Sequence, residues 1–389
     1  MGSHFQEIAD WLLATAAEHN DLRAVTDKIV KRLRAASMPI HRVNMGVLAL
    51  HPEMAGYAVL WDEGMSEAVE FPVRREDMAK PTYLDSPIRL LVESRKPVDY
   101  DLEAPSHTLP FPVLGEFKEA GYTRYVGFPL GYGDDRVAVF TFCTKRPGGF
   151  SDEDTVGIQK IFPVLSLLLS VVETRRLAKT VLRTYLGRET GERVLAGEIQ
   201  RGQGERIQAA LWFCDLRRYT AMTAEIGSFA MIDVMNQYFD CMAEAVWAEG
   251  GEILKFMGDA MLVVFRVGDD FSAAKASKSA VRSAQSALDR LADLSEQRVS
   301  QGELPLRAGV AIHLGSVVYG NIGASSRLDF TVMGHSVNLV ARIQNLTGQT
   351  GESILFSNEI ANHLDEPVIS MGRHELKGVS DPVEVFKVK

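Results

Sequence analysis

Gly250-Gly-Glu-Ile-Leu-Lys-Phe-Met-Gly-Asp-Ala-Met-Leu-Val-Val-Phe265 is the stretch that decides the fold of the C-terminal half. Two short β runs, 252–256 and 260–265, flank Met257-Gly258-Asp259, which predicts a hairpin with Asp259 at its tip. Upstream, Ala210-Leu-Trp-Phe-Cys-Asp-Leu-Arg-Arg-Tyr-Thr220 closes a second apolar run, 207–215, read as a buried strand ending on Asp215. Carboxylates in apolar surroundings are costly unless neutralised, and a divalent cation does this directly. Either aspartate alone is better explained as a turn residue capping backbone amides. As a pair, presented from a strand end and a hairpin tip, they can grip two Mg²⁺ or Mn²⁺ ions.

The elements around this pair follow from periodicity. A short helix is expected near 221–225 and a longer one over 228–249, with Met231, Val234, Met235, Tyr238, Met242 and Val246 at helical spacing. Gly250-Gly251 stops the longer helix. Residues 307–312 read as another buried strand. Strand alternation in the hairpin puts Ile253, Lys255 and Met257 on one face and Leu254 and Phe256 on the other. A lysine among so many apolar neighbours either snorkels or reads a ligand. A third segment, Arg327-Leu-Asp-Phe-Thr-Val-Met-Gly-His-Ser-Val-Asn-Leu-Val-Ala-Arg342, predicts a helix after Gly334, capped by Ser336. Asn338 and Arg342, four apart, share one face of it.

Asp215, Asp259 and the 327–342 segment together resemble the catalytic signature of the class III nucleotidyl cyclases. The resemblance runs from Glu205 to the C-terminus and implies that family's βαββαβ-type, ferredoxin-like α/β sandwich. It implies that Asp215 and Asp259 hold two Mg²⁺ or Mn²⁺ ions per site and that Lys255 and Thr331 read the base. Lysine only donates and meets adenine N1, while a hydroxyl accepts from the 6-amino group; the family's guanine readers carry Glu and Cys instead. The Thr331 match points to a subgroup some of whose members respond to bicarbonate. The family's matching Asn orients the ribose and its matching Arg stabilises charge on the α-phosphate, roles that fall here on Asn338 and Arg342. Lys377 either reaches the phosphates or is a surface turn lysine, and Ser316 stands where several cyclases place a pyrophosphate-binding arginine.

The implied activity is ATP to 3′,5′-cyclic AMP and pyrophosphate, at two composite sites of a head-to-tail homodimer. The rivals are a cyclase for GTP or a pyrimidine nucleotide and a catalytically silent nucleotide-binding sensor. The silent sensor would require loss of one of the six matched residues, and all six are present. A diguanylate cyclase is set aside because Gly250-Gly-Glu-Ile-Leu lacks a Gly-Gly-Asp-Glu-Phe run. His313, His335 and Cys214 read as structural.

The N-terminal part opens with Phe5, Ile8, Trp11, Leu12 and Ala16 at helical steps, then a helix over 22–33. Strands are expected at 42–50, 56–62, 67–73, 123–129 and 136–145, with helices at 86–94 and 112–120. That order predicts an α+β domain on an antiparallel sheet. Gly149-Phe-Ser-Asp-Glu-Asp154, with Ser151 as N-cap, leads into a helical pattern over 152–187. This ending resembles the close of a GAF domain, a small-molecule-sensing fold, with a PAS-like sensor as the alternative. Ile161, Leu165, Leu168 and Val172 form a narrow seam that packs on a partner helix or on the chain's own domain, and Pro163 perturbs it. Residues 184–197 resemble the short connector before many bacterial cyclase domains. The expected division is a GAF-like sensor at 5–151, a signalling helix and connector at 152–204, and the catalytic domain at 205–389. The sensor's effector, a small molecule or a protein, is unknown. His41, His51 and His107 have no ligating spacing, and Cys143 reads as core.

Composition supports this picture. A chain of 389 residues, 46% hydrophobic and 24% charged, suits two globular domains. A net charge of −9 and a pI near 5.6 leave no basic excess for nucleic acid. Cys143, Cys214 and Cys241 lack CxxC spacing, which fits a reducing cytoplasm. The longest apolar run, 161–172, falls short of the ~20 residues that span a bilayer, so no membrane partner is expected. Met1-Gly-Ser-His4 resembles a cloning scar, with no signal peptide after it.

Overall fold

The computed structural model describes residues 2–15, 21–49, 51, 54–132, 135–269 and 271–389. Ala16 and Leu50, assigned above to the first helix and first strand, lie outside the described residues. The chain divides into two units, Met1–Val181 and Leu182–Lys389.

The first unit opens with α1 (Gly2–Ala14) and α2 (Leu22–Ala35), so Gly2–His4, read above as part of a cloning scar, is helical. Its sheet comprises β1 (Arg42–Leu48), β2 (Met54–Asp62), β3 (Val69–Arg74), β4 (Val98–Asp101), β5 (Arg124–Tyr132) and β6 (Arg136–Thr144). The order is β3-β2-β1-β6-β5-β4, antiparallel at every pairing. Alternation sends Val43, Met45 and Val47 of β1 to one face, against α1, α2 and the closing helices. Between β3 and β4 lie α3 (Pro81–Leu84) and α4 (Pro87–Ser94); α5 (Pro112–Glu119) precedes β5. Leu91 of α4 and Leu114 of α5 bury a second, smaller core on the other face. Neither β4 nor α3 is legible in the sequence, because four residues carry too little periodicity.

The helical pattern at 152–187 is two helices, α6 (Asp152–Gln159) and α7 (Phe162–Leu186), broken just before Pro163. Ser151 caps α6 as expected, in a capping box with Asp154. Ile161, Leu165, Leu168 and Val172 all lie buried in the first unit's own core. The seam therefore packs on its own unit, not on a partner helix. No single helix among the described residues is long and apolar enough to cross a membrane.

In the second unit, α8 (Arg188–Leu195) precedes β7 (Gly204–Leu216), α9 (Tyr219–Ile226), α10 (Ser228–Ala248) and the hairpin of β8 (Glu252–Met257) and β9 (Ala260–Arg266). There follow α11 (Ala273–Ser300), β10 (Ala308–Ala324), β11 (Arg327–Met333), α12 (His335–Thr350), β12 (Ile354–Ser357), α13 (Asn358–Ala361), β13 (Val368–His374) and β14 (Val383–Val388). The sheet order is β13-β14-β12-β10-β7-β9-β8, with β11 paired to β10. Helices α10 and α11 cover one face and α12 the other. This is the α/β sandwich expected of the C-terminal half. Gly250, at φ +79°, ends the α10 segment as its sequence predicts. Gly334, not Ser336, is the N-cap of α12; Ser336 lies inside the helix, and its hydroxyl donates to the Ser316 carbonyl at 3.2 Å.

Candidate active site

Asp215, the penultimate residue of β7, stands directly opposite Ala260, the residue after Asp259 in the hairpin turn. The register of two adjacent strands thus brings the two aspartates together. Gly258, at φ +66°, makes that turn. Burial, then the hydrogen bond and charge of Asp259, push the Asp215 carboxyl up to about 6, while Arg217 pulls the other way. Two hard oxygen donors that resist sharing negative charge fit a divalent cation. Among the described residues no cluster of three or more His, Cys, Asp or Glu side chains that could hold a metal ion occurs; at this place the acidic groups are the pair Asp215 and Asp259. Beneath them Cys214 and Tyr238 are fully buried and hydrogen-bonded at 3.1 Å, and burial raises the thiol to about 12. Cys214 is core, as expected.

Lys255 lies on the face opposite to the one alternation assigns it. Ile253 opposes Val263 but Lys255 opposes Leu262, so Leu254 is an extra residue in a β-bulge. Ile253 and Val263 pack toward α10 and α11, whereas Leu254 and Leu262 pack on the α12 side. The bulge turns Lys255 to that second side. There its ammonium meets Asp329 of β11 at 2.8 Å. Thr331 follows two residues along the same strand, and its buried hydroxyl has no hydrogen-bond partner. A groove of about 680 Å³ passes Lys255 and Asp329 and is bounded by residues 183–189.

Asn338 and Arg342 are both exposed on α12, and neither has a polar partner among the described residues. No hydrogen bond or ion pair among the described residues joins them, or Lys255 and Thr331, to the aspartate pair. Lys377 is exposed in a turn, and Ser316 is exposed on β10. His313 is buried and hydrogen-bonded to Ser357 at 2.8 Å, a structural histidine; His335 is exposed. Cys143 is buried and all three cysteines are free.

Residues 204–389 match the family model described as the adenylate and guanylate cyclase catalytic domain. This half of the molecule is a class III cyclase catalytic domain. The chain is 32% identical over 197 residues to an adenylate cyclase of Anabaena cylindrica, covering 49% of this chain and 38% of that protein. It is 28% identical over 236 residues to adenylate cyclase 2 of Rhizobium meliloti, covering 59% of this chain and 62% of that one. The chain thus spans less than two thirds of the length of these relatives. A solved bacterial light-regulated adenylyl cyclase shares the fold, with a TM-score of 0.50 and 20% identity over 68% of this chain and 86% of that structure.

The cyclase domain holds the connector helix α8 by a buried polar cluster. Glu252 accepts hydrogen bonds from the Thr190 amide, the Thr190 hydroxyl and the Tyr319 hydroxyl, each at 3.0 Å. Burial, then the nearby charge of Glu189, raises the Glu252 carboxyl. Arg193 of α8 pairs with Glu198 and Glu205 and lies over the rings of Tyr319 and Phe330, the residue between Asp329 and Thr331. Sequence reading missed Asp329 and this cluster. Asp329 was within reach, since alternation sets it on the face of Thr331. Glu252 carried no signal, because its partners are 62 and 67 residues away.

Proposed function

We propose that this chain is an adenylyl cyclase that converts ATP to 3′,5′-cyclic AMP and pyrophosphate by in-line attack of the ribose 3′-oxygen on the α-phosphorus. The observation that carries the reading is the pair of neighbouring polar groups on β8 and β11. Lys255 supplies a donor for adenine N1, and the partnerless Thr331 hydroxyl supplies an acceptor for the 6-amino group. Asp215 and Asp259 would hold two Mg²⁺ or Mn²⁺ ions, which when bound neutralise the triphosphate and acidify the attacking hydroxyl. Asn338 orients the ribose, and the Arg342 guanidinium meets charge developing on the α-phosphate. Both side chains project unpartnered from α12, as expected of groups that complete a site on a second copy. Exposed apolar residues on both arms, Phe256 and Met257 on β8, Val318 on β10 and Met333 on β11, support a homodimer through these arms. Lys377 lies in an exposed turn and is the weakest candidate for phosphate contact. The first unit is read as a GAF-like sensor whose effector acts through the α7 helix.

The test is product formation from ATP or GTP with Mg²⁺ or Mn²⁺, beside Asp259→Ala and Arg342→Ala. Metal-dependent cyclic AMP, absent in each variant, is expected. Mixing the two inactive variants restores part of it through one intact composite site. No recovery in proven heterodimers contradicts the shared site.

A further inference from the structure

The second face of the first unit's sheet is covered unevenly. Over β4–β6, helices α4 and α5 seal it, and Gly127 leaves room for Leu91, whose Cδ1 stands 2.6 Å from where a Cβ would be. Over β1 and β2 no helix side chain descends in that way; the Val139 side chain of β6 leans over Gly46, its Cγ2 2.8 Å from where a Cβ would be. Gly46 of β1 lies directly opposite Ala58 of β2, and Gly56 follows on the same face. Around this low floor stand Phe71, Met78, Ile88, Val92 and Val139, lining a cleft of about 210 Å³ that is half open to solvent. None of its lining residues is charged. Two polar groups reach it, the Asn44 amide and the Tyr83 hydroxyl; neither side chain is hydrogen-bonded among the described residues, and the charges of Glu93 and Arg89 act on Tyr83. Burial raises the Tyr83 phenol, so it stays a neutral donor.

The geometry points to a binding site for a small, neutral, largely apolar ligand with one hydrogen-bonding end, seated on Gly46 and Ala58 and read by Asn44 or Tyr83. A dry apolar cavity of ~150 Å³ holds benzene, so this one takes a bicyclic or substituted ring of about ten non-hydrogen atoms. No lining residue is a cation or a carboxylate, so a charged ligand entering the cleft loses hydration without a paired charge in the lining. As an effector site the cavity rests on the sensor reading of the first unit; as a binding site it is tested without reference to cyclase activity.

Indole and benzoate are titrated into the full-length protein by calorimetry, beside Ala58→Leu, which raises the floor, and Val92→Trp, which fills the space from the helix side. Indole is expected to saturate one site per chain, with benzoate at least about tenfold weaker. Each folded variant weakens indole by about tenfold or more, with an unchanged circular dichroism spectrum. If Ala58→Leu does not fold, Val92→Trp carries the test, because α4 is half exposed there. The assignment is overturned if indole, p-cresol and cyclohexanol all fail to saturate. It is equally overturned if benzoate binds as well as indole, or if a folded variant keeps full indole affinity. Product formation enters none of these readings, so a silent cyclase leaves the site standing, and an empty cavity leaves the cyclase standing.

Discussion

Replacing Asp329 by Asn tests the proposed reading of the base by Lys255. The two groups stand 2.8 Å apart, with side chains 30% and 59% exposed. Coulomb attraction at that distance is worth ~1.5 kcal/mol in bulk water, and side-chain ordering and salt lower an exposed pair to about 0.5–1 kcal/mol. The ammonium carries three donors, so it can keep Asp329 and still donate to adenine; Asp329 therefore holds it in place rather than competing for it. Losing that hold should raise KM for ATP by about 2–5-fold. The base is remote from the reacting phosphorus, so kcat should stay within about twofold. Steady-state kinetics of Asp329→Asn, Lys255→Ala and the double variant read this directly. In the Lys255→Ala background the Asn substitution should change nothing further, because the partner is gone. A KM that is unchanged or lower in Asp329→Asn, or an equal effect without Lys255, refutes the reasoning.

Three other outcomes are expected. The raised Asp215 carboxyl favours the cation-free fold below the ordinary carboxylate range, and this contribution is lost as pH rises through about 6. Mn²⁺ needs the deprotonated pair, so its stabilisation measured by thermal melting should be slight near pH 5 and full near pH 7.5; a pH-independent shift contradicts the aspartate pair as its site. Glu252→Ala leaves the Thr190 amide without an acceptor and the Tyr319 hydroxyl with only the Thr190 hydroxyl, and should destabilise the connector by about 1–3 kcal/mol, seen as faster hydrogen exchange over 188–195. Unchanged protection there would show that the cluster does not hold α8. Lys255→Glu with Thr331→Cys should move activity from ATP toward GTP, and unchanged preference in an active double variant removes both from base reading.

Elements with a strong period are legible in the amino-acid sequence. The α10 segment shows six apolar residues at helical spacing ended by two glycines, and the β8–β9 hairpin shows apolar runs about a Gly-Asp turn. The long α11 is not legible, because Ala and Ser fill its buried face and give hydropathy little contrast. Residues 161–172 have a legible spacing but not a legible partner, since an apolar seam packs equally well on its own domain or on another helix.

The sequence by itself determined which residue types are available: two acids at strand and hairpin ends, a lysine and a threonine proposed to meet a purine edge, and an Asn–Arg pair one helical turn apart. Those are local matters of composition, spacing and turn chemistry. The tertiary structure decided which of them meet. Lys255 reaches Asp329 only because one extra residue at Leu254 inverts the pleat, and period-2 reasoning fails at a bulge. The Thr190–Glu252–Tyr319 cluster and the cavity over Gly46 and Ala58 likewise depend on strand pairing across long separations. No local signal carries them, because each exists only once distant strands are in register.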